Sequence, residues 1–126
     1  MIRQEPIVIF GTGEATRDYC YVGNVVQANI LAATTQSANA LNKAFNVGLG
    51  CKTDLNELFQ IIKKTLLVKY PAIQNAEPEY QEARPGDILH STANIELISK
   101  ELGFDPKVDI QQGIELALSY YGESLS

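Results

Sequence analysis

One segment leaves little choice of structure. Leu55, Leu58, Phe59, Ile62 and Leu66 recur at the three- and four-residue spacing that lines one face of an α-helix. Asp54 stands just before them as an N-cap and Glu57 completes a capping box, so the pattern predicts a helix from Asp54 through Val68. An apolar stripe of that length has to be buried against other elements, which commits the chain to a layered fold with a core. Lys63, Lys64 and Lys69 read as a solvated face that also complements the helix C-terminus, not as a nucleic-acid patch.

The elements around this helix are shorter. Residues 1–6 read as a helix end and residues 7–10 as an apolar extended run, turned by Gly11-Thr12-Gly13. A second extended run, 16–22, places Arg17, Tyr19 and Tyr21 on one side and Asp18, Cys20 and Val22 on the other, and the two runs form a hairpin or a pair of short crossing strands. Asn24 with Gln27 predicts a capped helix carrying Val25, Val26, Ala28, Leu31 and Ala32. Residues 43–47 read as a strand with Phe45 and Val47 inward, broken by Gly48-Leu49-Gly50, and residues 79–83 as a short edge strand. Asn94 caps a helix with Ile95, Ile98 and Leu102 that Gly103 stops. Asp109 caps a last helix with Ile110, Ile114, Ala117, Leu118 and Tyr121 buried, and Gly113 inside it marks a close contact. The total is α/β, with short strands and four or five helices, too few strands for a complete doubly wound sheet. At 126 residues and 45% hydrophobic content the chain suits one domain, 1–126.

Charge and cysteine content narrow the function. Ten Lys and Arg against fifteen Asp and Glu give a net charge of −5, which argues against nucleic acid while leaving room for one phosphorylated ligand held by a few arginines. Cys20 and Cys51 are too few for a disulfide scaffold and read as reduced, and with His90 the only histidine nothing points to a metal. Absent an apolar run long enough to span a bilayer, or a signal-peptide pattern at residue 1, the expectation is no membrane and a cytoplasmic location.

Arg84-Pro85-Gly86-Asp87, with His90 and Ser91 beyond it, is where chemistry concentrates. Pro85 and Gly86 shape a tight turn, Arg84 offers a planar fork suited to phosphate, and Asp87 can accept from sugar hydroxyls. Read alone, it is either a surface turn or a ligand-binding loop. Arg17 has the same ambiguity, since it could pair with neighbouring Asp18 instead of a ligand.

Several strings together carry a resemblance. Pro6-Ile7-Val8-Ile9-Phe10-Gly11-Thr12-Gly13, Thr16-Arg17-Asp18-Tyr19-Cys20-Tyr21-Val22, Asn24-Val25-Val26-Gln27-Ala28-Asn29, Phe45-Asn46-Val47-Gly48, Leu55-Asn56-Glu57-Leu58, Arg84-Pro85-Gly86-Asp87-Ile88-Leu89-His90-Ser91 and Leu102-Gly103-Phe104-Asp105-Pro106 stand in that order. The chain resembles the C-terminal, substrate-binding part of the extended short-chain dehydrogenase/reductases, nearest the NAD-dependent nucleotide-sugar epimerases of the UDP-N-acetylglucosamine 4-epimerase group. By that resemblance, Arg17 and Arg84 hold the diphosphate of a UDP-sugar, Asp87 accepts from the uridine ribose, and His90 and Ser91 lie in a second shell.

Departures from the family pattern bear on activity. Thr12 and Gly23 stand where relatives commonly carry acidic residues. No tyrosine here has a lysine four residues later, so the family's Tyr-x-x-x-Lys pair is absent, as is its glycine-rich Rossmann half, and no catalytic or cofactor-binding residue is assigned. The resemblance thus implies NAD in the intact family and none in this chain. Two readings stay open. One is a truncated or split epimerase lobe that by itself binds a UDP-sugar at most, weakly or not at all, without catalysing its C4 epimerisation; the split form would be completed by a separate Rossmann-half polypeptide. The other is a non-enzymatic interaction module that reuses the lobe and self-associates as a homodimer.

Overall fold

The computed structural model describes residues 1–3 and 5–124. Strand β1 is Val8–Phe10 and β2 is Thr16–Arg17; helix α1 is Val22–Thr34. Then come β3 at Thr53–Asp54, α2 at Leu55–Leu67, β4 at Glu79–Gln81, α3 at Glu96–Leu102 and α4 at Ile110–Ser124. Single 3₁₀ turns lie at Ala38–Ala40 and Pro71–Ile73. The α/β class with four helices and no complete sheet is as expected.

The helix signals that act locally are borne out. Asp54 accepts from the Glu57 N–H at 2.7 Å and starts α2, which buries Phe59 and Leu66 and packs on α4. Asp109 accepts from the Gln112 N–H at 2.8 Å at the head of α4. Gly103, at φ 66°, closes α3 in the left-handed conformation that favours glycine, whereas Asn94 is not its cap: Ile95 takes that position, and Asn94 only accepts from the Glu96 N–H at 2.9 Å in the turn just ahead of the helix. Gly113 meets Tyr21 closely: a Cβ there would stand 2.9 Å from the Tyr21 Cβ.

Non-local pairings correct the rest. Residues 7–10 and 16–22 form no hairpin. Instead β1 pairs in parallel with β4, Val8 opposite Glu79 and Phe10 opposite Gln81, and β2 pairs antiparallel with β3. The second run is a strand only at Thr16–Arg17, because α1 already begins at Val22. Asn24 is no N-cap. It lies buried inside α1, where its side chain donates to the Val108 carbonyl at 2.7 Å and accepts from the Val108 N–H at 3.2 Å. Residues 43–47 form no strand, although Phe45 and Val47 do pack inward on the cluster of Ala28, Ala40, Ile98, Leu102 and Phe104. The described residues among 1–6 make a turn at Ile2 and Arg3, not a helix. Tyr121 is 54% exposed, its ring meeting Tyr120 edge-on at 5.4 Å instead of entering the core.

The Asn24 bridge yields a prediction. Asn24→Leu leaves both backbone groups of Val108 without their partner, so the chain is expected to lose roughly 2 kcal/mol of stability. Urea unfolding checks this, and an unchanged midpoint would show that the bridge adds nothing.

Candidate functional site: a groove with two arginines

The site is assembled where the two small sheets meet. From β4 the chain runs through residues 81–90, every one of them exposed. Its first turn is Arg84 to Asp87. The Asp87 N–H reaches the Arg84 carbonyl at 3.3 Å and Gly86 sits at φ 86°, the type II pattern that Pro and Gly at the two central positions dictate.

Beyond the turn the loop is stitched to β2. The Thr16 N–H donates to the Leu89 carbonyl at 2.8 Å, and the Ser91 N–H to the Thr16 carbonyl at 3.2 Å. Thr16 Oγ1 and His90 Nδ1 lie 3.0 Å apart. This seam fixes the loop beside Arg17, the next residue of β2. His90 and Ser91 therefore belong to the seam and do not line the groove that follows.

Arg17, Arg84 and Asp87 line one groove of about 360 Å³, with Ile9, Leu58 and Phe59 among its apolar walls. The arrangement brings the three sequence-predicted contact residues to one place. Arg17 does not pair with Asp18; its Nη1 donates to the Thr16 carbonyl at 2.8 Å. Neither Arg17 nor Arg84 takes part in an ion pair among the described residues. Arg84 lies instead on the Phe10 ring, with its guanidinium carbon 3.8 Å from the centroid.

Asp18 has a structural task that the sequence did not disclose. Its carboxylate accepts from the backbone N–H groups of Leu49 at 2.8 Å, Gly50 at 2.9 Å and Ala93 at 3.3 Å. The signal was the glycine pair: a Cβ on Gly48 would stand 2.4 Å from Asp18 Oδ2, so only glycine lets the two approach. Tyr19 also lines the groove; burial pushes its phenol above the ordinary pKa, opposed by the Arg17 charge. Burial likewise raises the Cys20 and Cys51 thiols, with the Asp18 carboxylate adding to both. Among the described residues no cluster of His, Cys, Asp and Glu could hold a metal, and no helix is long and apolar enough to cross a membrane.

The residues present do not fit a dinucleotide. Gly11-Thr12-Gly13 leads into β2 and opens no helix, so it offers no helix N-terminus to a pyrophosphate. The space above Gly13 is filled by the Asn56 side chain, 2.2 Å from where a Cβ would stand.

Comparison with known proteins assigns the architecture. The sequence profile of the GDP-mannose 4,6 dehydratase family matches residues 1–117. The chain belongs to that family. A putative UDP-glucose 4-epimerase of Methanocaldococcus jannaschii is 33% identical over 95% of this chain and 35% of its own length. The UDP-glucose 4-epimerase of Thermotoga maritima, solved with UDP-glucose, superposes with a TM-score of 0.85 at 36% identity, covering 100% of this chain and 38% of that one. The UDP-N-acetylglucosamine 4-epimerase of Methanobrevibacter ruminantium, solved with UDP-N-acetylmuramic acid, gives 0.82 at 32% identity, over 97% and 36%. Related intact epimerases have been solved with NAD, including one from Bacillus cereus. The expected membership among NAD-dependent nucleotide-sugar epimerases is borne out, and the chain spans little more than a third of these relatives' length.

Two outcomes follow from the site's electrostatics. Asp18→Asn keeps a single acceptor oxygen for three N–H groups, so it is expected to cost about 1–3 kcal/mol in urea unfolding. Tyr19, Cys20 and Cys51 are acids whose folded pKa lies above the unfolded one. Their contribution is complete below the unfolded pKa and is lost as pH rises through the folded value. Melting temperature is therefore expected to fall on the alkaline side, less steeply in a Cys20→Ser, Cys51→Ser variant; identical alkaline limbs would refute this.

Proposed function

We propose that residues 1–126 form one substrate-side lobe that binds a nucleoside-diphosphate sugar, of the UDP-sugar class, in the groove between Arg17 and Arg84. The observation that carries this reading is the pair of guanidinium groups, on separate elements and without ion-pair partners among the described residues, lining one groove. Two such groups can neutralise a diphosphate and fix its direction, which a single exposed charge does not achieve. Asp87, on the same rim, supplies the acceptor for ribose hydroxyls, and the apolar walls suit the flat faces of a base.

The lobe binds and orients; it does not carry the redox step. Hydride transfer in this family is the work of NAD with a Tyr-x-x-x-Lys pair, and this sequence has no such pair. C4 epimerisation of the bound sugar therefore depends on an NAD-binding part contributed by other residues. That part closes the groove from the open side and gives the two arginines the water-poor surroundings in which their charge acts most strongly.

A second reading, a self-associating module, is favoured by α1. Val22, Val26 and Ile30 are 65%, 51% and 57% exposed at successive four-residue steps. The helix has no charged residue, so two copies of a chain of net charge −5 would meet there without like-charge repulsion. A monomer mass in solution would overturn this reading.

Titration calorimetry of the chain with UDP-N-acetylglucosamine, UDP and UMP tests the first. Arg84→Ala is expected to weaken UDP binding at least roughly tenfold, the worth of one charge-assisted hydrogen bond, with the thermal melt unchanged because Arg84 is exposed. Equal affinity of variant and parent, or no heat at millimolar UDP, would sink the assignment.

A further inference from the structure

The two groove arginines are held by different means. Arg17 is half-buried and tied to the Thr16 carbonyl through Nη1. Arg84 has no comparable bond among the described residues; its guanidinium carbon stands 3.8 Å from the Phe10 ring centroid. Backbone pairing makes this stack. The parallel register sets Phe10 opposite Gln81, three residues before Arg84, and the Gly11 N–H closes on the Gln81 carbonyl at 2.9 Å. Residues 82 and 83 then carry the chain past Gly11, where a Cβ would stand 3.6 Å from the Ala83 Cβ, and leave Arg84 over the Phe10 ring. Both residues line the groove.

An arginine on a stretch where every residue from 81 to 90 is exposed would otherwise spread over many rotamers. A ring against the flat face of the guanidinium limits that spread at no cost in hydrogen bonding. The five N–H donors lie in the guanidinium plane and point outward from its rim, so stacking leaves them free. An acidic partner would have held Arg84 equally well, but by occupying the donors and cancelling the charge.

Resting on the reading of the groove as a nucleoside-diphosphate site, we propose that Phe10 is a positioning residue for ligand phosphate. Its ring keeps Arg84 at the groove with its donor edge free for two oxygens of one phosphate. Phe10 acts through Arg84, and its worth is the ordering of that side chain before ligand arrives.

The test is a double-mutant cycle on the full chain, by titration with UDP at concentrations up to millimolar. Phe10→Leu is expected to weaken UDP binding roughly 2- to 5-fold, the range of an exposed cation–π contact, and Phe10→Tyr to restore it. In an Arg84→Ala background, Phe10→Leu is expected to change nothing further. The free protein gives an independent readout, because the ring shifts the Arg84 δ-methylene protons upfield in NMR spectra, and Phe10→Leu removes that shift. Equal losses from Phe10→Leu in both backgrounds would mean that Phe10 only shapes the wall and would overturn the proposal, as would unchanged affinity. Failure of the parent chain to bind UDP would take down the underlying reading as well, a result distinct from a parent that binds and a Phe10→Leu variant that binds equally.

Discussion

The carboxylate of Asp18 ties three backbone positions from two separate loops to one point. Its oxygens receive N–H groups from Leu49 and Gly50 on one side and Ala93 on the other. These are backbone donors, so their position does not depend on which side chains the loops carry. The residue before Asp18 is Arg17, which lines the groove, and the segment after it leads to α1. One groove arginine, the entry to the first helix and the exit from the exposed loop thus lie next to one charged acceptor. Lacking an extended sheet, the lobe uses such side-chain-to-backbone ties where a larger protein would use strand ladders. Asn24 does the same for α1 and the segment before α4, bonding both polar groups of Val108.

What was legible in the sequence divides along the distance over which the forces act. Asp54, Gly103 and Asp109 were readable because a cap bonds within a turn of itself. Asn24 carried the same capping signal and misled, since its partner lies 84 residues away. The pairing of β1 followed the same rule: a tight turn after Phe10 favours a hairpin, but the strand that wins lies beyond α2. At residues 43–47 the alternation was read correctly, with Phe45 and Val47 inward, yet no strand adjoins them to make a ladder. Alternation reports which face is buried. It does not report whether a neighbour exists.

The groove shows the same division. The Arg84-Pro85-Gly86-Asp87 turn was written in its own residues, because proline and glycine at those positions specify its geometry. The family resemblance supplied Arg17. Neither source revealed that the loop is sewn to Thr16, or that Phe10 rather than an acidic residue lies against Arg84. The first depends on a bridge between Thr16 and His90 and the second on a parallel pairing that brings residue 10 beside residue 81, and no local pattern encodes either.

The exposed run from 81 to 90 has one further consequence. None of its side chains is buried, and two short seams secure its ends. Substitutions there remove no volume from the core, so side chains outside the turn and the seams can change while the scaffold stays fixed. The loop is the part of the chain where sequence can vary at least risk to folding.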